Sequence, residues 1–236
     1  ATETTAGANP MDIIDNAAQI KDARNSAHYV IVIIHGGHEY YNLPSPRMQK
    51  QYRFYAEQGA DIVVGHHTHC IGGHEIYKDV PIIYSLGNFL FTRPTKRDEF
   101  YTGLLVQLKI EKAKPVSFDL LPTRQEIKTF RTTLLNNEKR KAVMQQVCEI
   151  NTAISNKATM QQGWNDFIQK NLKQYLNSLS PISAIDNRYI RTGFNRLGIA
   201  KLFLNKQYLK LILNLIRCEA HADGMKTSVK KCLNGD

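Results

Sequence analysis

The sequence predicts an α/β fold followed by an α-helical C-terminal region, and three observations support this prediction. Short β-branched runs alternate with segments of helical periodicity in the first half of the chain. The first two of these runs each end in a loop rich in glycine and histidine. After Pro122, apolar residues recur at three- and four-residue spacing, which is typical of helices. A chain of 236 residues with 42% hydrophobic residues can bury a sizeable core, which excludes a disordered or collagen-like protein.

The first part of the chain is predicted to form two helix–strand pairs. Apolar residues at helical spacing indicate an amphipathic helix over residues 12–24, and the β-branched run at residues 29–34 indicates a strand buried on both faces. Residues 47–58 form a second predicted helix, which Gly59 ends. Residues 62–64 form a second buried strand. We expect the two strands to lie side by side.

Two further strand pairs and three long helices complete the prediction. We place a domain boundary near residue 125, with an α/β domain over residues 1–125 and a basic helical tail region over residues 126–236. The predicted elements are two strands within residues 73–91, strands over residues 103–110 and 115–121, and helices over residues 137–154, 160–179 and 206–221.

The net charge of +10 is unevenly distributed along the chain. Residues 1–100 hold 9 lysines and arginines against 11 acidic residues, a net charge of −2, whereas residues 101–236 hold 22 against 10, a net charge of +12. The basic part suits an anionic lipid, an acidic polymer or simple solvation of helical faces. Nucleic acid is not expected, because no recognised binding motif is present. No apolar run approaches the ~20 residues of a transmembrane segment, and no basic-then-apolar leader is visible.

Histidines cluster where the first two strands end. Six of the eight histidines fall between His35 and His74. Neutral imidazole is a common ligand of divalent metals at pH 7, and loops at strand ends are where sites form in α/β sheets. If the loop is extended, the side chains of His67 and His69 point to the same side of the chain. Gly65 permits a tight turn before this pair. The sequence therefore predicts a metal site, with hydrogen-bonded turn histidines as the alternative.

Three segments resemble one known family in wording, order and spacing. They are His35-Gly-Gly-His-Glu-Tyr40, the run from Gly59 to His69, and Tyr84-Ser-Leu-Gly-Asn-Phe-Leu-Phe91. Over about residues 11–121 the chain resembles the CapA/PgsA family of bacterial poly-γ-glutamate capsule biosynthesis proteins. The resemblance implies a metallophosphoesterase-like (calcineurin-like) fold, a role in capsule biosynthesis at the cell envelope, and a metal-dependent hydrolase site for a phosphoester or an amide.

The resemblance also implies a metal-binding role for the histidines. His35 would bind one metal ion, and His67 and His69 would complete a two-metal site for Mn, Zn or Fe. The usual Gly-His-x-His pattern is one residue shorter than the segment present here. His66 is therefore the alternative to His67 as ligand.

Four residues of these motifs are candidates for catalysis or substrate binding. By the resemblance, His67 and Glu39 would be catalytic, and Asn88 and His66 would line the substrate pocket. Two alternatives remain open at this point. Glu39 is equally well explained as a solvated loop carboxylate, and Asn88 as a residue that holds a turn through backbone hydrogen bonds.

The chain departs from the family pattern in its carboxylate ligands. In the family, a Gly-Asp segment and an Asn-His segment precede the His-Gly motif, but here the only Gly-Asp is Gly235-Asp236 and no Asn-His occurs. We therefore expect half of a metallophosphoesterase-like αββα sandwich, with a binuclear site formed only when a missing N-terminal half or a symmetry mate supplies carboxylates. The alternative function is a non-catalytic envelope assembly protein that binds an anionic capsule polymer or a synthase complex.

Overall fold

The computed structural model describes residues 6–112 and 114–234, which form an α/β fold with two sheets and a helical C-terminal region. The chain divides into two compact units, one up to Phe167 and one from Ile168. The strands are β1 (Ile31–His35), β2 (Ile62–His66), β3 (His74–Tyr77), β4 (Val80–Ile83), β5 (Thr102–Lys109), β6 (Ser117–Gln125) and β7 (Thr132–Leu134). The α-helices are α1 (Ile13–Ser26), α2 (Pro46–Glu57), α3 (Asn137–Ser155), α4 (Lys157–Ser178), α5 (Arg188–Arg196), α6 (Ala200–Phe203), α7 (Lys206–Arg217) and α8 (Glu219–Asn234).

These elements confirm the predicted fold class and correct the C-terminal helices. The helix predicted over residues 206–221 is two helices, because the chain leaves the helical conformation at Cys218 (φ −88°, ψ 113°). The prediction also missed β7, α5, α6 and α8. The boundary near residue 125 stays a prediction, while the compact units divide after Phe167. None of the helices within the described residues has the length and apolar character needed to cross a bilayer.

The first sheet brings two predicted loops to the same edge. Its strand order is β1-β2-β4-β3, with β1, β2 and β4 parallel and β3 antiparallel to β4. In the register of β1 and β2, Ile31 pairs with Ile62 and His35 pairs with His66. Both strands therefore end at the same level, and the loops that follow them lie side by side.

Helices α1 and α2 are capped by side chains where the sequence offers them. The Asp12 carboxylate accepts hydrogen bonds from the backbone N–H groups of Ile14 and Asp15, and the Ser45 hydroxyl accepts one from Met48. Each cap satisfies donors that the first helical turn leaves unpaired. Together with residues of the first sheet and of α3 and α4, the two helices bury one core cluster: Ile20, Val30, Ile34, Met48, Tyr52, Tyr55, Ala56, Ala60, Val63, Ile82, Tyr84, Ile150, Ile154 and Met160.

The strand β1 is not buried on both faces, so that prediction is wrong. Ile31 and Ile33 are 42% and 70% exposed, whereas Ile34 is buried. The reason is that β1 is the edge strand of the described sheet, and an open groove of about 580 Å³ runs between it and α1. In contrast, Ile62 to Gly65 of β2 are all buried, as predicted for a central strand.

The second sheet, with strand order β5-β6-β7, forms a second core cluster against β2, β4 and α3. Antiparallel bridges join Ile71 to Leu86 and Gly87 to Gly103, which links the segment after β4 to the start of β5. The segment from Leu86 to Phe91 is thereby fixed beside the ends of β1 and β2. It forms one wall of the site described below.

A stacked pair of buried tyrosines allows a matched test of this core. Tyr52 and Tyr84 are each 1% exposed, and their ring centroids lie 5.7 Å apart. The Tyr84 hydroxyl donates to the Glu75 carboxylate, whereas the Tyr52 hydroxyl is buried without a hydrogen-bond partner among the described residues. Burial raises the pKa of both hydroxyls, so both are neutral at pH 7.

We expect Tyr84→Phe to lower the free energy of unfolding by about 2 kcal/mol, because it removes a hydrogen bond to a charged group. Tyr52→Phe should cost nothing or stabilise the protein by up to about 1 kcal/mol, because it removes a buried hydroxyl that gains no bond. Urea denaturation of the two variants measures the difference. Equal losses of stability would contradict the assignment of the hydrogen bond to Tyr84.

Candidate functional site

The ends of β1 and β2 bring four of the predicted histidines together. His35 ends β1 and His66 ends β2, and the two residues are paired in the sheet register. His67 and His69 follow in the loop after β2. The parallel pairing therefore confirms that the two histidine loops converge.

His35 lies at the centre of this cluster. Its Nδ1 lies 3.0 Å from Nδ1 of His66, and its Nε2 lies 2.9 Å from Nδ1 of His67. Its ring centroid is 4.6 Å from each of those two rings. Each N···N contact needs one proton between two nitrogens, so a neutral His35 donates in one contact and accepts in the other. His35 is thus bonded to both candidates for the second ligand, His66 and His67.

His69 is oriented by the amide of Asn88. The Asn88 side-chain NH₂ donates to the carbonyl oxygen of Phe100 (2.8 Å), which turns Oδ1 toward Nδ1 of His69 at 2.9 Å. Since Oδ1 only accepts, His69 carries its proton on Nδ1, and Nε2 keeps its lone pair. The ring is held in place between Phe91 and Phe100, at centroid distances of 5.1 and 5.2 Å. Asn88 therefore does more than hold a turn.

The loop that carries His67 and His69 is not extended, contrary to the prediction. The φ angles of the two residues are 118° and 58°, in the left-handed region that costs a side-chain-bearing residue energy. Their ring centroids nevertheless lie 5.8 Å apart. The neighbouring Gly37 has a φ of 121°, and a Cβ there would lie 2.8 Å from the Thr68 methyl carbon. The second glycine of the His-Gly-Gly segment is therefore needed for the two loops to approach.

Gly65 serves close packing rather than a tight turn. It lies within β2, and a Cβ there would meet the backbone carbonyl oxygen of Tyr84 at 2.5 Å and the Tyr52 ring at 3.1 Å. A side chain at this position would separate β2 from the chain after β4. The absence of a side chain keeps the histidine loop close to the segment that carries Asn88.

Burial and mutual repulsion favour the neutral form of two of the four imidazoles. Desolvation lowers the pKa of His66, and the neighbouring His35 and His67 lower it further. Desolvation also lowers the pKa of His67, with His35 and His69 acting in the same direction. Glu39 opposes this shift at His67. Neutral imidazoles are the form that binds metal ions or accepts protons.

The cluster opens into a cavity of about 480 Å³ with one histidine wall and one largely apolar wall. Glu39 lies outside this lining, exposed in the loop after β1, and acts on His67 through its charge. The structure thus brings together every predicted site residue except Glu39. The cavity is lined by His35, His66, His67, His69, Leu86, Gly87, Asn88, Phe89, Leu90, Phe91, Leu104, Leu105 and Val106.

The two remaining histidines of the motif region lie outside the cluster. His38 packs on Trp164 and Phe167, at centroid distances of 4.9 and 5.6 Å. The backbone N–H of His74 donates to the Asn151 side-chain oxygen at 2.7 Å. Burial lowers the pKa of both imidazoles, so both are neutral groups that pack against other elements.

Sequence reasoning missed a buried hydroxyl network beneath the site. The Thr68 and Ser85 hydroxyl oxygens lie 2.9 Å apart, and Ser85 also donates to the Cys70 carbonyl at 3.0 Å. The same Ser85 oxygen accepts a hydrogen bond from the Gly87 N–H. The network ties the histidine loop to the segment after β4. Thr68 and Ser85 lie inside the quoted motifs, but nothing in their spacing predicts that they meet.

The donor atoms fit a metal ion in part. Adjacent nitrogen ligands of one ion lie about 3 Å apart, as the contacts of His35 with His66 and His67 do. A pair of divalent ions also requires carboxylates between them. Over residues 6–112 and 114–234, no group of three or more His, Cys, Asp and Glu side chains is arranged to hold a metal ion. His35 uses a different nitrogen in each contact, so the described residues supply candidate nitrogen ligands and do not by themselves fit a complete metal centre.

Comparison with known proteins finds one family whose model matches the part of the chain that carries these segments. The family described as "Bacterial capsule synthesis protein PGA_cap" matches residues 1–93. The chain is 36% identical over 115 residues to the capsule biosynthesis protein CapA of Bacillus anthracis, an alignment that covers 48% of this chain and 28% of that protein. It is also 36% identical over 122 residues to the PGA biosynthesis protein CapA of Bacillus subtilis (strain 168), which covers 52% of this chain and 32% of that protein. The chain thus spans about a third of the length of these relatives.

Proposed function

We propose that the chain acts in capsule biosynthesis through a metal-dependent hydrolase site, because residues 1–93 match the family described as "Bacterial capsule synthesis protein PGA_cap". The substrate class is a phosphoester or the amide bond of an anionic polymer. The observation that carries the proposal is the convergence of His35, His66 and His67 at N···N distances of 2.9–3.0 Å, beside an oriented His69. Convergent neutral imidazoles at strand ends are typical of metal-assisted chemistry.

Each residue has a role in this proposal. His69 offers Nε2 as a ligand because Asn88 holds its proton on Nδ1. His35 and His67 share a nitrogen–nitrogen contact and supply further ligands, with His66 as the alternative to His67. When bound, a divalent ion such as Mn, Zn or Fe would polarise the scissile phosphoryl or carbonyl oxygen and lower the pKa of a water molecule. A binuclear centre would need carboxylate ligands in addition to these histidines.

Proton transfer in this site is assigned to His67 and Glu39. The Nδ1 of His67 faces His35, so Nε2 is the nitrogen left to exchange a proton with the leaving group. Glu39 raises the pKa of His67 against the effect of burial, which keeps that proton available nearer neutral pH. The role of Glu39 is electrostatic, since its exposed carboxylate lies outside the cavity lining.

Metal binding to the chain tests this proposal. Calorimetric titration with Zn²⁺ and Mn²⁺ should show weak binding, which His67→Ala and His69→Ala each reduce by at least about tenfold. His28→Ala is the matched control, because His28 is exposed and lies outside the cavity lining. Hydrolysis of a phosphodiester and of a γ-glutamyl amide by wild-type and His67→Ala protein then tests catalysis. Absence of bound metal, together with unchanged behaviour of His67→Ala, would reject the proposal.

A second candidate is a non-catalytic assembly protein that binds an anionic polymer. The observation in its favour is the excess of basic residues after residue 100, where 22 lysines and arginines face 10 acidic residues. Binding to poly-γ-glutamate would then weaken steeply as the salt concentration rises, because screening removes the attraction. Salt-independent binding, or no binding, would count against this candidate.

A further inference from the structure

The second compact unit exposes apolar side chains on strongly basic helices. Residues 168–236 hold twelve lysines and arginines against four acidic residues, a net charge of +8. Within this unit, several apolar residues of α5, its C-cap residue Leu197 and α7 are exposed to a degree that is unusual for a solvated helix. The most exposed are Tyr189 (74%), Ile190 (50%), Leu197 (76%), Leu211 (54%), Leu213 (57%) and Ile216 (68%).

Helix α7 combines charge and exposed apolar surface along one side. Lys206, Lys210, Leu213 and Arg217 are spaced four, three and four residues apart, so they lie in one row along the helix. All four are exposed, and Ile216 borders the same row. A row of lysine and arginine beside exposed leucine and isoleucine is typical of helices that lie in a membrane interface.

Helix α5 also carries exposed apolar side chains together with arginines. Ile190, Phe194 and Leu197 are spaced four and three residues apart and share one face, on which all three are exposed. Arg188 lies on the opposite side of the helix, and Arg191 lies at the flank of the apolar face. A second helix of the same unit thus combines exposed apolar and basic side chains.

An apolar groove adjoins the exposed row of α7. It has a volume of about 740 Å³ and lies between α7 and α8. Ile216 belongs both to this groove and to the exposed surface. The groove is lined by Leu179, Ile212, Leu215, Ile216, Ala222, Met225 and Val229.

We propose that residues 168–236 bind the surface of an anionic phospholipid membrane, with the exposed apolar residues of α5 and α7 in the interface and the basic side chains at the headgroups. Charge complementarity favours an anionic membrane over the other possible binding partners of this surface. A second copy would bring two units of +8 together, and an acidic polymer would leave the apolar residues in water. An anionic membrane satisfies both the charge and the apolar surface, since lysine and arginine extend to the headgroups while leucine and isoleucine enter the acyl boundary. The proposal does not depend on the histidine site.

Vesicle co-sedimentation of the full chain tests the proposal. We expect binding to vesicles of phosphatidylcholine with about 30 mol% phosphatidylglycerol, and much weaker binding to phosphatidylcholine alone. The variant Lys206→Gln/Lys210→Gln/Arg217→Gln should bind roughly a hundredfold more weakly, at about fivefold for each charge removed. The variant Leu213→Ser/Ile216→Ser should lose at least about tenfold. The matched control Ile31→Ser/Ile33→Ser removes equally exposed apolar residues of β1 and should bind as the wild type does.

Three results would overturn the proposal. Equal binding to the two vesicle types would show that charge does not select the surface. In a second outcome, the chain binds no vesicles and instead binds soluble poly-glutamate equally well before and after Leu213→Ser/Ile216→Ser. That result would show that the unit binds an acidic polymer. In a third outcome, sedimentation velocity shows a dimer that the same variant dissociates, with no vesicle binding. That result would show that the surface binds a second copy of the chain. Circular dichroism of each variant confirms that the helices remain folded.

Discussion

Replacing Gly65 by alanine is expected to lower the free energy of unfolding by about 3 kcal/mol. The added Cβ would lie 2.5 Å from the backbone carbonyl oxygen of Tyr84 and 3.1 Å from the Tyr52 ring. A backbone carbonyl cannot move aside as a flexible side chain can, so β2 or the chain after β4 must shift. Urea denaturation monitored by circular dichroism measures the loss. The displaced histidine loop should also lose its contact with the segment that carries Asn88.

Gly193→Ala is the control for this substitution. Gly193 lies in α5, and a Cβ there would meet nothing within 4 Å. Alanine is the better helix former by up to about 1 kcal/mol, so this variant should be neutral or slightly more stable. A Gly65→Ala protein as stable as the wild type would show that β2 accepts a side chain at this position.

The sequence was sufficient to locate the histidine cluster because two local signals coincide there. The β-branched runs before His35 and His66 predict buried strands, and parallel strands that end together bring their loops to one edge. The identity of the residues in the loops then predicts the chemistry. The same reasoning predicted six of the seven described strands, and the bounds of α1 to α4 within a few residues, since their apolar periodicity is strong.

Other features depend on contacts between distant segments, which periodicity does not encode. The exposure of Ile33 follows from the position of β1 at the edge of the described sheet. The need for Gly65 follows from the carbonyl oxygen of Tyr84, nineteen residues later in the chain. The proton position on His69 follows from an amide that Phe100 orients. Each of these depends on which strands become neighbours, a property of the whole fold.

In the C-terminal unit too, apolar periodicity does not predict which contacts a helix makes. Taken alone, the apolar stripe of residues 202–216 predicts a helix face that docks on the parent domain, because such stripes pack there more often than on a membrane. In the structure, several of its members are about half exposed or more, among them Leu202, Leu213 and Ile216. Periodicity predicts that a helix is amphipathic, and it does not say what covers the apolar side.

Replacing Asn88 by alanine is expected to lower the metal affinity of the site by about ten- to a hundredfold. The substitution removes the acceptor that holds the His69 proton on Nδ1, and it frees the imidazole to take either tautomer. In the Nε2–H tautomer, the nitrogen that faces the proposed ion has no lone pair. Calorimetry measures the affinity, and ¹⁵N chemical shifts of the His69 ring report the tautomer without any metal.

Asn88→Asp separates the tautomer from the local fold. Its carboxylate keeps an acceptor for His69 Nδ1 and loses the donor to the Phe100 carbonyl. If Asn88 acts on the proton, the aspartate variant should keep the Nδ1–H tautomer and remain within a few-fold of the wild-type affinity, whereas the alanine variant should not. Equal losses in both variants would instead assign Asn88 to anchoring the segment on Phe100. An unchanged tautomer in Asn88→Ala would show that Asn88 does not set the position of the proton on His69.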